Sequence, residues 1–244
     1  AVVVGVGPGP FTGLRVGVIG TGSSGVQMIP IIAQQAKQLT VFQRTANFSL
    51  PARNGPMTPD REDPHKASYK ERRAAAMETP FAIGGHPKPT QKTMEATPEE
   101  RAKTYEAKWQ AGGSISYLYS YTDLLVSKEA NDTASELARN KIRSIVKDKR
   151  TGELLAPKDH PIGTKRLCLD TNYYETYNRP NVSLVDVRSD PIKELTPKGV
   201  RLNSGAEYEF DAIAFATGFD AMTGALNEID IRTSEGEVLR QHWE

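Results

Sequence analysis

The chain has 244 residues, a formal net charge of +1 and 38% hydrophobic residues. That length can bury one large core or two small ones, and the near-zero charge gives no ground for nucleic acid or an anionic membrane as a partner. Four scattered histidines, a lone Cys168 and no apolar run of spanning length argue against a metal site, an internal disulfide and a membrane helix; the lone cysteine predicts a reducing, cytoplasmic setting.

Residues 1–14 form an atypical N-terminal segment. Val2–Val4 reads as a strand, and Gly5–Pro10 as a rigid, turn-rich loop whose prolines prevent it from opening a helix. The N-terminus has no basic region or clear cleavage pattern and does not read as a signal peptide. Next comes an apolar strand (Val16–Ile19), the run Gly20-x-Gly22-x-x-Gly25, and a helix over about Ser24–Lys37. In this setting the first glycine permits the turn, the second lets the backbone approach a pyrophosphate, and the third allows helix and strand to pack. Helix N–H groups then face the phosphates, with Ser23 or Ser24 as the cap.

A second strand, Leu39–Arg44, completes the first half of the nucleotide fold. Proteins that bind NAD place a carboxylate at its end for the ribose 2′-hydroxyl. Here the residues are Gln43, Arg44 and Thr45. An arginine pairs with a 2′-phosphate where a carboxylate repels it, and hydrogen bonds to charged groups contribute about 1.5–3 kcal/mol each. The position therefore reads as NADPH over NADH. Pro30 predicts a kink in the intervening helix.

Residues 46–65 read as loop, and 66–150 as mainly helical, giving a helical insertion over 59–150. It starts with a charged helix (Lys66–Met77), broken by Gly84, Gly85, Pro87 and Pro89. A capping-box helix runs from Thr97 to Ala111 and stops at Gly112–Gly113, with Trp109 as a core anchor. Ser116–Leu125 is rich in tyrosine, and Glu129–Lys147 is amphipathic. Beyond the insertion, a loop presents Lys165 and Arg166, and a short helix covers about Thr171–Asn178. Strands follow at Val182–Val187, Ile192–Leu195, Gly199–Leu202, Glu207–Phe210 and Ala212–Ala216. The middle ones form an antiparallel meander, and the last is a buried strand returning to the main sheet. The predicted fold is α/β: a Rossmann-like NAD(P)-binding domain with a helical insertion and a small antiparallel β meander.

No nucleophile elbow and no Tyr-x-x-x-Lys relay is present. Two adjacent cations, Lys165 and Arg166, point to an anion: the 2′-phosphate or a negative reaction intermediate. A plain surface basic pair has the same spacing.

Four stretches resemble the Baeyer–Villiger monooxygenases, class B flavoproteins: RVGVIGTGSSGVQMIP (15–30), VFQRTANFSLPARNGP (41–56), HPIGTKRLCLDTNYYETYNRPNV (160–182) and FATGFDAMTGAL (215–226). The resemblance implies oxidation of a small-molecule ketone to an ester or lactone with O2, NADPH and FAD. It implies cofactor contacts from Gly20, Thr21, Gly22, Ser23, Ser24, Gly25 and Gln27, and 2′-phosphate contacts from Arg44, Thr45 and Lys165. Arg166 is implied as the catalytic arginine, and Ala216, Thr217, Gly218 and Asp220 as a hinge at the cofactor. No metal, nucleic-acid or membrane partner is implied.

The family's FAD-binding glycine motif and its FxGxxxHxxxW/P signature have no counterpart upstream of Gly13. The expectation is therefore a middle portion, with 15–226 as the NADPH domain and 227–244 as the start of a return to an FAD domain. Association with a flavin domain is expected, over an apolar surface at about Ala216–Leu226. Residues 1–17 separately resemble a short segment of the scaffold subunit of the tRNA threonylcarbamoyladenosine machinery. Two other readings stay open: a freestanding NADPH-binding module without turnover, and an interaction scaffold.

Overall fold

The structure is a computed structural model describing residues 2–3, 11–79, 88–219 and 224–243. The expectations for Gly5–Pro10, Gly84, Gly85, Pro87 and Asp220 lie outside the described residues.

Five parallel strands form the main sheet: β1 (Val2–Val3), β2 (Arg15–Ile19), β3 (Gln38–Gln43), β6 (Val182–Asp186) and β10 (Ala212–Phe215), in the order β1-β10-β2-β3-β6. β-Branched and leucine side chains fill its centre, where Val18 pairs with Val41 and Val41 with Leu184. Helix α1 (Ser23–Gln35) crosses from β2 to β3 and buries Val26, Ile29, Ile32 and Ala33 on one face of the sheet. Pro30 is accommodated inside this helix. On the other face sits the antiparallel meander of β7 (Ile192–Thr196), β8 (Gly199–Leu202) and β9 (Glu207–Glu209). Phe42 of the sheet meets Tyr208 and Phe210 edge-on, with ring centroids 5.3 and 5.8 Å away.

The segment read as loop over 46–65 holds two elements. β4 (Ser49–Pro51) pairs in parallel with β5 (Cys168–Asp170), a strand that the local pattern did not reveal. A helix then starts at Pro59, not Lys66: α2 (Pro59–Ala67) is followed by α3 (Tyr69–Met77). Proline at the first helical position, with Asp60 and Glu62 in the first turn, explains the early start. Neither helix buries a residue.

The rest of the insertion is compact. A 3₁₀ turn (Thr93–Glu95) leads into α4 (Pro98–Ala111), which has the expected capping box at Thr97 and Glu100 and stops at Gly112. Then come α5 (Ser114–Leu118), α6 (Lys128–Ile145) and α7 (Lys149–Leu155). The last was not expected; Asp148 caps it by accepting the Thr151 N–H at 2.8 Å. Tyr105, Trp109, Tyr117 and Leu124 form its core with Phe48 and Leu50. Helix α8 (Tyr173–Thr176) follows β5, and short helices α9 (Gly224–Asn227) and α10 (Arg240–Trp243) end the described chain. Among the described residues no helix is long and apolar enough to cross a membrane.

Candidate functional site

The site forms where β2, β3 and β10 end together. Gly20 takes φ +110°, and a Cβ there would lie 2.4 Å from the Ala216 carbonyl oxygen, so the end of β10 presses against the turn. A Cβ on Gly25 would meet the Gly20 carbonyl oxygen at 2.4 Å, fixing the close packing of helix on strand. Gly22 differs. Its φ is −80°, and a Cβ there would touch nothing within 4 Å. The packing of the protein itself does not require glycine at that position.

The serines do not cap α1 as expected. Gly22 is the N-cap, without a side-chain cap bond, and the first intrahelical bond runs from the Val26 N–H to the Gly22 carbonyl. The N–H groups of the first helical turn precede that ladder and face outward. The Ser23 hydroxyl lies 3.3 Å from the Cys168 sulfur instead.

At the end of β3 the three residues divide their roles. Gln43 is buried and turned inward, donating to the Leu154 carbonyl at 2.8 Å; its Oε1 is buried without a hydrogen-bond partner among the described residues. Arg44 is exposed, Thr45 is half-buried, and both face the cleft. Lys165 reaches the same cleft from the loop before β5.

The resulting cleft, of about 640 Å³, is bounded by Gly20–Ser24, Arg44–Asn47, Lys165, Val187, Pro191–Ile192 and Ala216–Phe219. It brings together Gly20, Thr21, Gly22, Ser23, Ser24, Arg44, Thr45, Lys165, Ala216, Thr217 and Gly218. Gly25 is buried beneath it, Gln27 is exposed on α1 away from it, and exposed Arg166 sits beside Lys165 but does not line it. Among the described residues no acidic side chain lines the cleft, so Arg44 and Lys165 make it positive. No metal-binding cluster exists among them.

Sequence reasoning missed the internal fastening of this cleft. The Thr21 side chain is buried and donates to the Thr45 carbonyl at 3.0 Å. Cys168 accepts from the Asn47 amide at 3.2 Å and donates to the Arg166 carbonyl at 3.6 Å; burial pushes its thiol pKa up and keeps the proton that this donation needs. Spacing carries no signal for contacts between residues so far apart in the chain. Within Ala216–Leu226, where an apolar surface is expected, Phe219 and Leu226 are exposed; Phe215, just before it, is also exposed and departs from the fully buried strand expected there. Residues 220–223 lie outside the described set.

A parallel sheet with a glycine turn, an unblocked helix N-terminus and cations at the next strand end defines a dinucleotide-binding domain of the Rossmann type. No family model matches the chain. It is 45% identical over 233 residues to 2-oxo-Δ3-4,5,5-trimethylcyclopentenylacetyl-CoA monooxygenase of Pseudomonas putida, covering 96% of this chain and 42% of that protein. It is 43% identical over 230 residues to a Baeyer–Villiger monooxygenase of Pseudooceanicola batsensis, again covering 42% of that protein. A crystal structure of OTEMO in complex with FAD and NADP superimposes with a TM-score of 0.91 at 45% identity, over 96% of this chain and 43% of that one. The chain is thus homologous along nearly its whole length to Baeyer–Villiger monooxygenases, and spans about two fifths of the length of the relatives it matches.

Proposed function

We propose that this chain is the NADPH-binding portion of a flavin-dependent Baeyer–Villiger monooxygenase, acting in the whole protein on a small-molecule ketone. The observation that carries this reading is the cleft itself. The open position over Gly22 and the outward N–H groups of α1 fit a pyrophosphate, and Arg44 with Lys165 fits the extra phosphate of NADPH. Gly20 and Gly25 set the turn, Ser23 offers its backbone N–H, and the Ser24 hydroxyl adds a donor at the phosphates, while the Ser23 hydroxyl stays at the Cys168 sulfur. Thr45 would support the 2′-phosphate, and Ala216, Thr217 and Gly218 would complete the lining around the cofactor.

When bound, NADPH supplies a hydride, and FAD in the whole protein supplies oxygen activation. The residues of this chain bind and orient. Arg166, one residue beyond Lys165 and outside the nucleotide cleft, is assigned to stabilising negative charge at the reacting centre. Its backbone is held by Cys168 from the side of the cleft.

The test is a calorimetric titration of the purified chain with NADPH and NADH, with the flavin absorbance spectrum recorded on the same sample. Tighter binding of NADPH than NADH is expected. Equal affinity for the two, or binding of neither by folded protein, overturns the proposal. Flavin absorbance in the same sample would add a flavin contact to this chain. NADPH binding without it would correspond to a nucleotide module that does not turn over alone.

A further inference from the structure

We propose that Thr21 is a positioning residue for the choice between NADPH and NADH, acting through Thr45 and not by touching the cofactor with its side chain. The inference rests on the reading of the cleft as an NADPH site.

Thr21 stands between two glycines of the turn and at the edge of the cleft. Here it is 4% exposed, and its hydroxyl donates to the Thr45 carbonyl at 3.0 Å. That bond joins the pyrophosphate turn to the segment carrying the 2′-phosphate cation. A second tie is made by the main chain, where the Gly20 N–H donates to the Phe42 carbonyl at 3.0 Å.

Arg44 is consequently suspended between two fixed points. On one side Gln43 is held by its side chain at the Leu154 carbonyl (2.8 Å) and by its own carbonyl, which accepts the Val187 N–H at 3.0 Å. On the other side Thr45 is held by Thr21. Arg44 itself is exposed and forms no ion pair with any described residue. Its Cα position and exit direction are therefore set by its neighbours, and its guanidinium is free for an anion. A cation so placed loses less freedom on binding than one on a loose loop. NADH has no 2′-phosphate, so only NADPH benefits from this arrangement.

The experiment measures calorimetric dissociation constants for NADPH and NADH with Thr21→Val, which keeps the shape and removes the donor, and Thr21→Ser, which keeps the donor. Thr21→Val is expected to weaken NADPH about fivefold, because Arg44 then has more freedom to lose on binding, and to change NADH by less than about twofold. Thr21→Ser is expected to restore the wild-type ratio. Should Thr21→Val not fold, Thr21→Ala carries the same comparison. Equal losses for both nucleotides, or undiminished NADPH preference in a folded variant, overturn the inference. Arg44→Ala separates the two levels. If it leaves the nucleotide preference unchanged, the NADPH reading itself fails. If it abolishes the preference while Thr21→Val does not, only the role of Thr21 fails.

Discussion

Gly20 and Ala216 are in backbone contact across the end of the sheet: a methyl group on Gly20 would stand 2.4 Å from the Ala216 carbonyl oxygen, at a φ of +110°. Gly20→Ala therefore combines a main-chain collision with a left-handed backbone. A loss of about 3 kcal/mol or more of stability is expected, read as the shift in urea midpoint. Gly22→Ala meets no atom of the protein within 4 Å. It is expected to fold like the wild type and to bind NADPH more than about tenfold more weakly, because its methyl group would fill the space proposed for the pyrophosphate. If both variants lose stability equally, the assignment of Gly22 to a ligand is wrong.

Arg44 and Arg166 are both exposed arginines, but only Arg44 lines the cleft. Arg44→Ala is expected to weaken NADPH by about ten- to hundredfold and to leave NADH nearly unchanged. Arg166→Ala is expected to leave both affinities within about twofold of wild type. A loss of NADPH binding in Arg166→Ala would move that residue into the nucleotide site.

These outcomes bear on how much the sequence disclosed. The glycine turn, the Arg44 position and the capping box at Thr97 depend on neighbours a few residues away, and all three are where local chemistry placed them. The serine cap on α1 is not, because the helix begins one residue early and Ser23 turns to Cys168, far along the chain. Gln43, beside Arg44 at the strand end, is buried with its side-chain amide donating to the Leu154 carbonyl of α7, 111 residues along the chain, a contact that local spacing does not signal. Strands β4 and β5 are three residues each, too short for a periodic pattern, and exist because they pair with one another.

Cys168 ties three parts of the site to one sulfur: Ser23, Asn47 and the Arg166 carbonyl. Cys168→Ser retains a donor and acceptor and is expected to keep NADPH affinity within about threefold of wild type. Cys168→Val strands the Asn47 amide and frees the Arg166 backbone. It is expected to lower thermal stability by about 1–3 kcal/mol and to make the Lys165–Arg166 loop more sensitive to trypsin. Unchanged trypsin cleavage in Cys168→Val would show that the sulfur does not restrain this loop.

The Asp170 carboxyl is held above its ordinary value of 3.8 by burial, although it accepts hydrogen bonds from the Ser49 hydroxyl at 2.6 Å and the Tyr173 N–H at 3.1 Å. The folded chain therefore binds this proton more tightly than the unfolded chain. The resulting stabilisation is complete below the unfolded value and disappears as pH rises through the folded one. Asp170→Asn stays neutral throughout. Relative to wild type, the variant is expected to gain stability as pH rises above the ordinary carboxyl value of 3.8, seen by comparing urea midpoints on either side of it. Parallel curves for the two proteins would show that the carboxyl does not titrate differently on folding.

Helix α6 belongs to two cores. Its Ala134 and Ala138 lie among the tyrosines of the insertion, Ile142 packs with the sheet-side cluster of Val16, Val18 and Tyr174, and Ile145 touches both. A rigid rod shared in this way makes the insertion a poor candidate for an independent module. Excising 59–150, or exchanging it for the insertion of a relative, would remove a beam from beneath the nucleotide sheet. Heat should melt both regions of the intact chain in one cooperative transition, and grafts of the insertion should preserve the C-terminal half of α6.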